Sequence, residues 1–143
     1  KIHERAESRR AIVVFTDGQD TTSTLPPSQV ATLTSALDVP VYAFVLNPLP
    51  VGDPKAAAHD SALAEIARQT GGMYFVATDA ATLSAQVDTL LEELRSQHVV
   101  AFEASRAQGW RSLELSVRRK GYSIRSRGWY WAGDDAPALS QSR

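Results

Sequence analysis

The residues best suited to chemistry lie in one short stretch, where an apolar run ends and oxygen-bearing side chains begin. The run is residues 11–15 (AIVVF), and Thr16, Asp17, Gly18 and Asp20 follow it closely. Carboxylate and hydroxyl oxygens are the ligands of hard cations such as Mg²⁺ and Ca²⁺. At the carboxyl end of a buried parallel strand, Asp17 would lie where open α/β sheets bind their ligands. An Asp-Gly pair after a strand is also typical of an ordinary turn, so spacing alone leaves both interpretations open.

Other catalytic chemistries lack the residues that they need. The chain has no cysteine, and its three histidines do not have the spacing of a zinc site. No GxSxG, GxGxxG or Walker sequence occurs, so neither a serine nucleophile elbow nor a phosphate-binding loop is indicated. A phosphoryl-transfer enzyme with Asp17 as nucleophile would need a nearby lysine, and Lys55 is the only lysine between positions 2 and 119. We therefore predict that the chain is not an enzyme.

Three apolar runs alternate with helical patterns over the first two thirds of the 143 residues. The runs predict strands at 11–15, 39–46 and 73–77, and apolar spacing predicts helices around 30–37, 62–70 and 83–94. Gly71 stands where a left-handed cap ends a helix, and Thr78 or Asp79 can cap the next one. Strands that alternate with helices pair in parallel through right-handed crossovers. The predicted fold is therefore a layered α/β sheet over residues 1–97.

The pattern changes from residue 98 onward. Alternating apolar residues predict short antiparallel strands within 98–132, and residues 133–143 are predicted to be a disordered tail. Residues 1–97 hold 7 basic and 12 acidic residues, a net charge of −5, whereas residues 98–143 hold 8 and 4, a net charge of +4. The basic cluster at 118–127 could bind a polyanion, but it is more typical of a solvated strand face. We therefore do not expect a nucleic-acid partner.

Several stretches resemble the von Willebrand factor type A domain, and especially its bacterial branch. They are the strand and TDG loop at 11–18, the stretch ALAEIARQTGGMYF at 62–75, the stretch LLEELRSQHVVAF at 90–102, and the alternating segment at 112–130 that ends in Arg-Gly-Trp-Tyr. The resemblance covers nearly all of residues 10–131. It implies a partial Rossmann-like (von Willebrand A-like) parallel sheet with helices, followed by a small antiparallel β extension.

The resemblance also implies a metal-ion-dependent adhesion site. In that family a DxSxS loop, a distant Thr and the Asp of TDG hold Mg²⁺, Ca²⁺ or Mn²⁺, and an acidic side chain of a protein partner completes the coordination. Only Asp17 matches here, with Thr16, Gly18 and Asp20 in its binding loop, because no DxSxS and no threonine loop occur in the chain. The implied function is cation-dependent protein binding. The alternative is a structural or assembly domain whose metal site has degenerated.

The missing motifs predict that the chain is the C-terminal half of a longer domain. Met73 is the only methionine, so an initiator is also absent. One carboxylate cannot hold Mg²⁺ against its hydration shell, so we expect no tight metal binding by this chain alone. The missing N-terminal half, or a second copy, is expected to complete the sheet. No apolar run is long enough to span a bilayer, and the resemblance favours an exported protein, periplasmic or extracellular.

Overall fold

The computed structural model describes residues 10–17, 29–30, 34, 39–46, 54–103 and 108–133. The fold is mixed α/β, with a three-stranded parallel sheet and a separate two-stranded antiparallel sheet. The elements in chain order are β1 (Ile12–Thr16), β2 (Val41–Leu46), α1 (Pro54–Thr70), β3 (Tyr74–Ala77), α2 (Ala80–Ser96), β4 (Gly109–Ser112) and β5 (Trp129–Ala132). Residues 29, 30 and 34 are also helical, within the first predicted helix, whose other residues lie outside the described part of the chain.

The parallel sheet has the strand order β1-β2-β3, so each strand pairs with the next one along the chain. Ile12 is in register with Val41, and Ala43 is in register with Tyr74. This arrangement confirms the parallel pairing that the strand–helix alternation predicts. The carboxyl ends of the three strands consequently lie along one edge of the sheet.

Helices pack on both faces of the sheet because alternate residues of β2 point to opposite sides. Tyr42 and Phe44 lie on one face, in a buried cluster with Phe75 and Leu90 of α2. Val41 lies on the other face and packs with Ile66 of α1. Residues 41–45 are all buried, which is typical of the central strand of a layered sheet.

The first strand differs from expectation. Its continuous apolar sequence predicts burial on both faces, but β1 is the edge strand and its side chains are largely exposed. Phe15 is 55% exposed, and Ile12 and Val13 are each 39% exposed, although they point to opposite faces. Burial requires a neighbouring strand, and within the described residues β1 pairs only with β2. The prediction of the strand is correct, whereas the prediction of its burial is wrong.

The junction between α1 and the sheet is built from three consecutive residues. The buried Thr70 hydroxyl donates to the Ile66 carbonyl at 2.9 Å and accepts the backbone N–H of Val41 at 3.0 Å. Gly71 then takes a φ of +81°, and the N–H of Gly72 donates to the carbonyl of Ala67 at 2.9 Å. This is the Schellman ending that Gly71 predicts. The Thr70 side chain therefore ties the last turn of α1 to the first residue of β2.

Replacing that hydroxyl by a methyl group should destabilise the chain. The substitution Thr70→Val leaves the buried N–H of Val41 without its acceptor, at an expected cost of about 1–3 kcal/mol in the free energy of unfolding. Thr89→Val is the matched control, because Thr89 also donates to a carbonyl of its own helix, at 2.9 Å from Ala85, but is exposed. Urea unfolding of both variants measures the difference. Equal losses would show that the bond to Val41 contributes nothing.

The antiparallel sheet is smaller than the alternating sequence predicts. β4 and β5 pair with Gly109 opposite Ala132 and Ser112 opposite Trp129, and one further bond joins the Leu113 N–H to the Gly128 carbonyl at 2.8 Å. Residues 98–103 and 113–117, where strands are predicted, have no strand structure. Phe102 contacts Tyr130 of β5, but most apolar side chains of these two segments are exposed. Of the predicted tail, 133–143, residues 134–143 lie outside the described residues.

Candidate functional site

Asp17 lies immediately beyond the last residue of β1, at the carboxyl edge of the parallel sheet. Its side chain is exposed, and Thr16 before it is in register with Val45 of β2. The structure therefore places Thr16 and Asp17 at the end of the sheet where α/β proteins bind ligands, as predicted. Gly18 and Asp20, the other two predicted loop residues, lie outside the described residues.

A second carboxylate, that of Asp79, lies at the same edge, two residues beyond the end of β3. One oxygen accepts the backbone N–H of Thr82 at 2.7 Å, and the other accepts the hydroxyls of Thr82 at 3.1 Å and Thr78 at 3.3 Å. Asp79 is thus the N-cap of α2, one of the two capping residues that the sequence indicates. The hydrogen bonds from Thr82 lower its pKa, so its stabilising effect is present near neutral pH and is lost as the pH falls through the folded-state pKa.

The two carboxylates are separated by β2 and differ in what they contact. Neighbouring strands lie about 4.8 Å apart, so the ends of β1 and β3 are about 10 Å apart across β2. Both oxygens of Asp79 already accept hydrogen bonds from Thr78 and Thr82, so this carboxylate is used to cap α2. The described residues contain no group of three or more acidic, histidine or cysteine side chains that could hold a metal. Asp17 is therefore the one carboxylate that they offer at the β1 end of the edge.

Three phenylalanines connect β1 to the core directly beneath this edge. Phe15 stacks on Phe44 with ring centroids 4.9 Å apart, and Phe44 stacks on Phe75 at 4.6 Å. The three rings are in register across the three strands, and the planes of neighbouring rings differ by 18–19°. The exposed ring of Phe15 is the open end of this stack. Sequence reasoning missed the stack, although a phenylalanine in each of three predicted neighbouring strands was a usable signal.

A groove among the described residues lies at the other end of the sheet. It has a volume of about 470 Å³ and lies between the end of α1 and the segments that flank β4 and β5. Its lining includes Arg68, Gly72, Leu113, Glu114 and Ser126. Gly72 precedes the amino end of β3, whereas Asp17 follows the carboxyl end of β1. The groove therefore has no part in the candidate cation site.

The structural comparison supports the α/β fold. A crystal structure of an uncharacterized membrane-spanning protein from Vibrio fischeri is similar to this chain, with a TM-score of 0.51 and 25% sequence identity. The match covers 61% of this chain and 48% of that one, so the chain corresponds to about half the length of that protein. No family model and no curated protein matches the chain.

In the described part of this chain, no helix is long and apolar enough to cross a bilayer.

Proposed function

We propose that this chain is the C-terminal part of a von Willebrand A-type module that binds a protein partner through a divalent cation. The observation that carries the proposal is the position of Asp17, which follows an edge strand directly at the carboxyl end of a parallel sheet. The sequence Thr16-Asp17-Gly18 at this position supports the resemblance to that family. The proposed activity is binding and not catalysis.

The exposed edge of β1 explains how the remaining ligands would reach Asp17. A strand added beside β1 would lie about 4.8 Å from β1, about half the distance between β1 and β3. The loop that follows such a strand can therefore supply oxygens to an ion held near Asp17, whereas both oxygens of Asp79 already accept hydrogen bonds from Thr78 and Thr82. β2 is the other neighbour of β1, but the residues after it, 47–50, lie outside the described residues. We propose that the added strand comes from the N-terminal half of the domain, or from a second copy of the chain.

The cation would then bridge the module and its partner. The negative charge of Asp17 would favour binding of the divalent ion. An Asp or Glu of the partner could then replace a water molecule that coordinates the ion. The ion expected is Mg²⁺, or Ca²⁺ or Mn²⁺, because all the proposed ligands are oxygens. The alternative is a structural domain with a degenerate site, in which the exposed edge of β1 is used for assembly and Asp17 binds no ion.

Calorimetric titration with Mg²⁺ tests the proposal. We expect no micromolar affinity for this chain alone, and measurable affinity when the chain is joined to the polypeptide that completes its sheet. In the completed protein, Asp17→Asn should weaken Mg²⁺ binding by about 10- to 100-fold, the usual cost of losing a residue that supports a metal site from its outer shell. Binding of an acidic partner peptide should weaken in parallel.

The control variant is Asp88→Asn, which removes an exposed carboxylate from α2 with the same chemistry. It should leave Mg²⁺ affinity unchanged. Equal affinities for the Asp17 and Asp88 variants would refute the cation site. Partner binding that survives both Asp17→Asn and a chelator would support the assembly domain instead.

A further inference from the structure

The segment between β4 and β5 turns back on itself, without strand structure in residues 113–127, and its tip is strongly basic. Carrying the register of β4 and β5 beyond the bond between Leu113 and Gly128 places Lys120 and Gly121 at the turn and Arg119 opposite Tyr122. The structure agrees, because the Arg119 guanidinium lies 5.4 Å from the centre of the Tyr122 ring and Gly121 has a φ of +86°. We define residues 117–122 as the hairpin tip.

The tip combines cations that have no carboxylate partner among the described residues with exposed apolar side chains. Arg118, Arg119 and Lys120 are consecutive and exposed, and the ion pairs found within the described residues, Arg68 with Glu65 and Arg125 with Glu93, do not include them. The apolar side chains at the two ends of the tip, Val117 and Tyr122, are 50% and 62% exposed. A cluster of cations flanked by uncovered apolar groups lacks a partner of opposite charge.

One face of the hairpin extends this apolar surface toward its base. Extending the register of β4 and β5 through residues 113–127, which have no strand structure, would put Leu115, Val117, Tyr122 and Ile124 on one face together with Arg119. These four apolar residues are exposed, although Leu115 and Ile124 also line the groove beside α1. The segment therefore presents apolar side chains next to its cations.

We propose that the hairpin tip binds the surface of an anionic lipid bilayer. Lysine and arginine near such a surface are attracted to the lipid phosphates, and tyrosine and aliphatic side chains enter the boundary between headgroups and acyl chains. Charge complementarity supports this occupant, since residues 98–143 carry a net charge of +4 and the rest of the chain −5. This proposal does not depend on Asp17 or on a divalent cation.

A single-stranded nucleic acid fits the same surface less well. Base binding needs open aromatic faces, but one face of Tyr122 is covered by Arg119, and Val117 has no π system. Nearer the base, Trp110 contacts Trp131 and Phe102 contacts Tyr130 edge to face, and only Trp129, which is 53% exposed, has no such ring contact among the described residues. An exposed aliphatic residue beside three cations instead favours a surface that has both charge and an apolar layer.

Cosedimentation with vesicles tests the proposal. A chelator in the buffer removes divalent cations, so that any vesicle binding is independent of the proposed cation site. The chain should bind vesicles of mixed phosphatidylcholine and phosphatidylglycerol but not vesicles of phosphatidylcholine alone. Each of Arg118→Ser, Arg119→Ser and Lys120→Ser should weaken binding by about fivefold, the effect of about 1 kcal/mol per cation. Binding should also decrease as salt is raised.

Two further variants separate the contribution of the apolar side chains from that of the cations at the hairpin tip. Tyr122→Ser keeps the charge and should still weaken vesicle binding, because it removes the apolar anchor. Arg10→Ser is the matched control, since Arg10 is an exposed cation beside the parallel sheet and should have no effect. No binding to anionic vesicles, equal binding to neutral ones, or tighter binding to an oligonucleotide than to vesicles would each overturn the proposal.

Discussion

Gly72→Ala, which adds one methyl group just before β3, should reduce the stability of the chain more than any other substitution considered. A Cβ at this position would overlap the carbonyl oxygen of Val41 and would lie 2.6 Å from its carbonyl carbon, whereas ordinary contacts begin at about 3.4 Å. Both groups are backbone, so neither can rotate away. We expect a loss of at least about 3 kcal/mol in the free energy of unfolding, the upper range for overpacked sites. Since whole domains have about 5–15 kcal/mol, this loss would remove between about a fifth and about three fifths of the stability of the fold.

Gly128→Ala is the matched control for this prediction. A Cβ at Gly128 would have no atom within 4 Å, and the backbone there is outside the left-handed region. This variant should therefore stay within about 0.5 kcal/mol of the parent in urea unfolding. A similar loss in both variants would show that the close approach of Gly72 to Val41 does not determine the stability of the sheet.

Phe44→Ala should have the second largest effect. Phe44 is fully buried in the central strand and stacks between Phe15 and Phe75. Removing the ring leaves a cavity and breaks both ring contacts, at an expected cost of about 3–5 kcal/mol. Phe15→Ala removes the same group from the exposed end of the stack and should cost only about 1 kcal/mol. Urea unfolding of the two single variants and the double variant measures this difference and the coupling between the rings.

The comparison between Phe15 and Phe44 also tests the role of the β1 edge. If another strand covers β1 in the complete protein, Phe15 becomes a core residue there. Phe15→Ala should then cost more in the complete protein than in this chain, while the cost of Phe44→Ala should change little. An unchanged cost for Phe15→Ala would show that the edge remains uncovered.

The alternation of strands and helices could be predicted from sequence because it depends on local periodicity. The runs at 11–15, 39–46 and 73–77 predict β1, β2 and β3, and the strands found differ from them by one or two residues. Capping is local as well, so Gly71 and Asp79 were identifiable as helix ends. The position of Asp17 follows from the same logic, since it depends only on where β1 ends.

Features that depend on distant neighbours could not be predicted in this way. The exposure of β1 depends on which strand lies beside it, which its own residues do not specify. The alternating residues 113–117 predict a half-buried strand, but Leu115 and Val117 are about half exposed, because no second sheet or helix buries this face in the described residues. The need for glycine at position 72 comes from Val41, about thirty residues away. The cation itself and its partner stay predictions, because most of the required ligands are not in this chain.

The junction at Gly71 sets the spatial relation between the two proposed recognition surfaces. A Cβ at Gly71 would lie 2.9 Å from the backbone of Ser126 and Arg127, so the base of the hairpin abuts the amino end of the sheet. The Arg125–Glu93 pair fastens the hairpin near the last turn of α2, at that same end. Asp17 lies at the opposite end of the sheet, so the base of the hairpin does not occupy the proposed cation site. If both proposals are correct, a single molecule has one surface for a membrane and another for a protein partner.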